Sequence, residues 1–229
     1  MKANFSTLSH SLRQQLAATG VSVSIGHAQQ LLAASLGYGS LAAYQASSEE
    51  QPGIQGCDYV ILDVLGVTSR ANQLAVVAQQ KQVVDAIVKA IKADPEPPAV
   101  FLNDRDFVET EVARFAEESI LDDDAVASVA ANTNAYFDDA EIEMGQPSVS
   151  LAQSPEFWEV PINGCVNLDQ DPDKPFSGEA INAAGVVRIW KAGRVCLMND
   201  MELDIGASVD DGYYEHDDVQ SDLSISSHS

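Results

Sequence analysis

The apolar residues of this chain change their spacing near Asn132, and that change limits the folds available to it. Before it, apolar residues recur at three- and four-residue steps, as on one face of a helix. Phe5, Leu8, Leu12 and Leu16 mark a first helix that stops near Gly20. Ile25, Ala28, Leu32 and Leu36 mark a second, with Ser24 to cap it and Gly37 to end it. Ser40 can cap a short third helix over residues 41–47. Leu74, Val77, Val84, Val88 and Ile91 predict one long helix over residues 69–93, closed by Pro95, Pro97 and Pro98. Val108, Val112 and Phe115 predict another over 105–121, and the acids at 122–124 can cap a helix over 125–131. The short apolar runs at 59–65 and 99–102 do not distinguish strand from helix.

After Asn132, β-branched and aromatic residues alternate with polar ones. Residues 141–144 and 157–162 read as strands. Residues 185–190 and 195–198 read as a hairpin turning at Lys191, Ala192, Gly193 and Arg194. Residues 201–205 add a further strand. The fold class is therefore α+β: a three-helix N-terminal module, a helical middle and an antiparallel β-rich C-terminal part. The expected organisation is a module at 1–48, an α+β body at 57–209 with helices over 69–131 and strands over 135–206, and an acidic, Ser-rich tail at 210–229 that reads as disordered.

Residues 24–46 hold the most distinctive local pattern. Two short helices flank the turn Gly37-Tyr38-Gly39, in the outline of a helix-turn-helix. A DNA reader needs Arg, Lys, Asn or Gln on its second helix, and this one offers a single Gln45. Ser24, His27, Ala28, Leu31, Leu32, Ala33, Leu36, Gly37, Tyr38, Ser40 and Leu41 together resemble a small helical module of bacterial glyoxalase-related proteins. His27 is displaced from that module's Ser-His pair, and Leu41 stands where Trp is common. The resemblance implies a bacterial cytosolic protein without implying glyoxalase chemistry. That chemistry uses a metal held by His and Glu on paired βαβββ units, and there is no His between residues 28 and 215.

Charge is the strongest functional signal. The chain has 35 acidic and 12 basic residues and a net charge of −23. Residues 1–48 contain Lys2 and Arg13 and no acid, so the remainder carries −25. Such a body repels nucleic acids and anionic membranes and attracts basic protein surfaces or divalent cations. Cys57, Cys165 and Cys196 are far apart and form no CxxC pair, which signals neither zinc nor a disulfide framework. No signal peptide or membrane-length apolar run is present, so the expected location is the cytoplasm.

One acidic loop has the outline of a calcium site. Asp169, Asp171 and Asp173 alternate, with Glu179 further on. Lys174 occupies the sixth position, where the sharp turn needs Gly, and Ala180 the twelfth, where a bidentate Glu belongs. His216 lies among acids in the tail. No phosphate-cradling loop, dinucleotide fingerprint or nucleophile elbow is present. The leading expectation is a non-enzymatic interaction protein that meets a basic protein surface, in its sharpest form a DNA mimic. The alternatives are a metal-dependent enzyme or calcium binder using Asp169, Asp171, Asp173 and Glu179, and a DNA-binding protein using residues 24–46.

Overall fold

A computed structural model of the chain describes residues 4–47, 53–133, 135–170 and 180–209. Three helices come first: α1 (Phe5–Ala18), α2 (Ile25–Ser35) and α3 (Leu41–Ser47). Their ends are where the sequence put them. Asn4 Oδ1 accepts from the Thr7 amide at 2.9 Å, and Ser24 Oγ from the His27 amide at 3.1 Å. Ser40 Oγ accepts from the Ala43 amide at 3.0 Å. Gly37 ends α2 at φ +80°, a conformation that strains any residue with a Cβ.

Strand β1 (Tyr59–Ile61) leads into α4 (Val64–Gln73) and α5 (Gln80–Lys92), and the chain returns as β2 (Ala99–Phe101), parallel to β1. Here the expected single helix over 69–93 is corrected to two. The first starts earlier, where Asp63 Oδ1 accepts from the Gly66 amide at 2.7 Å. It ends at Gln73, and Ala75 follows at φ +51°. Val77, expected in the apolar stripe, is 94% exposed. A new helix then starts with a capping box formed by Gln79 and Gln82. Packing accounts for the break: α4 lies against α2, whereas α5 lies against α1.

Asn103 caps α6 (Asp104–Phe107), which runs through a π-helical turn at Val108–Val112 into α7 (Ala113–Ile120). Helix α8 (Asp124–Ala130) follows, capped by Asp123. The strands β3 (Ala135–Met144), β4 (Phe157–Gln170), β5 (Ala180–Lys191) and β6 (Cys196–Val209) complete the fold. They form an antiparallel meander joined to β1 through β6, in the order β2-β1-β6-β5-β4-β3. The α+β class with a C-terminal β part is as the sequence indicated.

One set of buried side chains runs from the first helix into the sheet. Leu12 and Leu16 of α1, Leu32 of α2 and Ile87 of α5 join Val60, Trp158 and Ile189 in it. Tyr59, Val60 and Ile61 are all buried, and alternate residues of a strand face opposite ways, so β1 is covered on both faces. A second buried group lies beneath α7 and α8, where Ile120 and Val126 meet Val166, Leu168 and Ile181. Among the described residues, the part of the sheet from β6 to β3 is therefore covered on one face only. Among the described residues, no helix is long and apolar enough to cross a membrane.

Candidate interaction face

Alternation along the strands decides what the uncovered face displays. On β4, Trp158, Val160, Ile162, Val166 and Leu168 are buried, so Phe157, Glu159, Asn163, Cys165 and Asp169 point the other way. On β5, Ile181, Ala183, Val187 and Ile189 are buried, leaving Asn182, Arg188 and Trp190 outward. Register extends the face to both sides. Arg188 stands opposite Glu202 of β6, and Val186 opposite Asp204. Asn163 stands opposite Glu143 of β3, and Cys165 opposite Glu141. Beyond a bulge between Phe137 and Ala140, Asn167 Nδ2 donates to Asp139 Oδ1 at 2.6 Å, which places Asp139 on this side too.

The result is one exposed surface with carboxylates on three of its four strands. Asp139, Glu141 and Glu143 lie on β3, Glu159 and Asp169 on β4, and Glu202 and Asp204 on β6. Among the described outward positions of β3 to β6, Arg188 is the only cation. Its Nε donates to Glu159 Oε1 at 2.9 Å and its Nη2 to Asp204 Oδ2 at 3.1 Å. The hydrogen bond to Glu159, foremost, and the nearby charge of Asp204 raise the pKa of this guanidinium. Arg188 thus ties three strands together, and the other acids of the face have no ion pair among the described residues.

Aromatic rings sit at one end of the face. Phe157 and Trp190 are opposite each other across β4 and β5 and meet edge to face, with centroids 5.7 Å apart. The Arg188 guanidinium lies 5.8 Å from the centre of the Phe157 ring. Toward the other end is a shallow depression of about 410 Å³, lined by Glu141, Glu143, Asn163, Cys165 and Asn182. Edge-strand carboxylates and a bulge also guard β3 against pairing with another sheet. That role accounts for the acids of β3. It extends to Glu202 and Asp204, because β6 pairs with β1 only at Cys196 and Leu197 and its later residues pair with β5 alone. It does not account for Glu159 and Asp169 on β4, the strand between β3 and β5.

The helical acids form a different surface. Along α6 and α7, Arg105 pairs with Glu109 at 2.6 Å, and Arg114 pairs with Glu111 at 3.1 Å and Glu118 at 3.2 Å. Those pairs partly neutralise that strip.

Of the acidic loop expected to hold a metal, Asp169 is exposed on β4 opposite Tyr136. Asp171, Asp173 and Glu179 lie outside the described residues, as do His216 and the acidic tail. No group of three or more His, Cys, Asp or Glu suited to a metal ion occurs among the described residues. In the expected helix-turn-helix, Tyr44 of α3 stacks on Phe5 at 4.1 Å, and the helix turns Ala42, Ala43 and Ala46 to solvent. The sequence reading missed Phe157, Arg188 and Trp190. Their signal was available in the alternation of β4 and β5, but only the register places them side by side. Comparison with known proteins gives no match to a family model, to a curated protein or to a solved structure.

Proposed function

We propose that the protein is a binding module that docks the basic surface of a partner protein on the open face of β3 to β6. The supporting observation is the concentration of carboxylates on one uncovered sheet face, beside the Phe157–Trp190 pair. Carboxylates steer a cationic partner and select it by charge. Aromatic rings with desolvated edges supply the apolar anchor that gives such interfaces their affinity. Carboxylates two residues apart on a strand recur about every 7 Å, a regular anionic array of the kind that a DNA-binding protein would meet in place of phosphates. In that sharper form the partner is itself a nucleic-acid-binding protein.

The test is affinity capture from the native lysate with the full chain and two charge-matched variants. One replaces Glu141, Glu159 and Glu202 by Gln on the sheet face. The other replaces Glu109, Glu117 and Glu118 by Gln on the helices. Bound proteins should be basic, leave at high salt, and be lost with the sheet variant while the helical variant keeps them. Equal capture by all three, or capture indifferent to salt, refutes the proposal. Displacement of a captured protein by duplex DNA supports the mimic form, and failure of displacement rejects that form alone.

A further inference from the structure

The turn Gly37-Tyr38-Gly39 has no part in the sheet face, yet it borders a cavity of about 400 Å³ with Asp63, Arg70 and Arg194. Three segments far apart in sequence meet there: the α2–α3 turn, α4 with its cap and the β5–β6 turn. They meet closely. A Cβ at Gly37 would stand 3.1 Å from Val195 Cγ1, and one at Gly66 would stand 3.1 Å from the Ala34 carbonyl oxygen. Glycines make part of the cavity wall, and its two cationic side chains are arginines.

What sets these arginines apart is that both border one cavity. Acids outnumber bases 35 to 12, and Arg105, Arg114 and Arg188 each hold at least one carboxylate. Arg70 and Arg194 make no ion pair among the described residues. Arg70 donates through Nη2 to the Gly39 carbonyl, and a guanidinium has further N–H groups to offer. Arg194 lies over the Tyr38 ring, 5.7 Å from its centre. The one carboxylate at the cavity among the described residues, Asp63, is engaged as the cap of α4.

We propose that this cavity binds a small organic monoanion, its carboxylate held between Arg70 and Arg194. Two cations and one anion leave the site with a single positive charge, which a monoanion balances. Guanidinium forks match the two oxygens of a carboxylate. Ser69 and Gln73, one helical turn apart and both at the cavity, offer neutral partners to the rest of the ligand. The strongly negative body around the site disfavours polyanions.

The test is NMR titration of the full chain at fixed ionic strength, replacing chloride in turn by acetate, lactate, benzoate and inorganic phosphate. The Gly37 and Gly39 amides and the Nε–H signals of Arg70 and Arg194 should shift saturably with at least one carboxylate. Arg194→Gln should weaken that binding about tenfold or more, the scale of a charge-assisted hydrogen bond. Arg194→Lys should fall between, and Arg13→Gln on α1 should change nothing. Glu141→Gln and Glu202→Gln should also leave these shifts intact, which separates this site from the sheet face. Absence of saturable shifts, shifts that survive Arg194→Gln undiminished, or saturation by phosphate in place of the carboxylates overturns the proposal.

Discussion

Lys191 is a buried cation whose ammonium donates to the carbonyls of Leu151, at 2.6 Å, and Ser154. Burial, reinforced by the charge of Arg194, pushes its pKa down to about 8. A lysine in open solvent titrates near 10.5. Between those two values the unfolded chain keeps a proton that the folded chain has released, so this group makes stability rise with pH. Below pH 8 both states are protonated and its pH dependence vanishes. Tyr44, raised by burial to about 12, acts in the opposite sense above pH 10. Urea denaturation at pH 7 and pH 9.5 should therefore show an alkaline gain that Lys191→Met reduces. The same substitution leaves two carbonyls unpaired and should cost about 1–3 kcal/mol at pH 7. Two glycines offer a second check at this scale. Gly37→Ala forces a Cβ into positive φ and toward Val195, and should cost about 1–2 kcal/mol. Gly39→Ala meets nothing within 4 Å and should change thermal stability by under about 0.5 kcal/mol.

At the scale of elements, the helices of the head and the sheet share buried side chains. Leu12 of α1 is fully buried in the same group as Ile87 of α5 and Trp158 of β4. Leu12→Ala should cost about 2–5 kcal/mol through lost transfer energy and a residual cavity. It should also lower one common transition, seen alike by tryptophan fluorescence and by helical circular dichroism. A separate early loss of helix would show instead that the head unfolds independently. The ends at Ser24, Gly37 and Asp123 were legible in sequence, because caps act locally, through amides within a few residues. The caps Asp63, Gln79 and Asn103 were missed, and the strands run longer than the alternation suggested. The break between α4 and α5 was not legible. Residues 74–79 contain neither Gly nor Pro, and the apolar spacing runs straight through them. What separates the helices is that each must lie against a different partner.

Across the whole molecule, the net charge of −23 means that the fold works against its own repulsion. Raising ionic strength from about 10 mM to about 150 mM shortens the Debye length from roughly 30 Å to roughly 8 Å. The melting temperature should rise over that range, by about 2–4 °C for each kcal/mol of repulsion relieved. A calorimetric scan in sodium chloride measures it, and an unchanged or falling melting temperature would mean that attractive pairs dominate. The open sheet face was only half visible in sequence. The surplus of acid was plain. That Glu141, Glu159, Glu202 and Asp204 share a surface depends on strand order and register.

The amino-acid sequence alone determined the α+β class, the caps at Ser24, Ser40 and Asp123, the hairpin of β5 and β6, and the charge imbalance. Each of these follows from periodicity or composition within a short window. Tertiary structure alone decided which face of the sheet stays uncovered, and that Arg70 and Arg194, 124 positions apart in the chain, border one cavity. Both depend on contacts between distant segments, where long-range packing chooses among arrangements that local preference leaves equal.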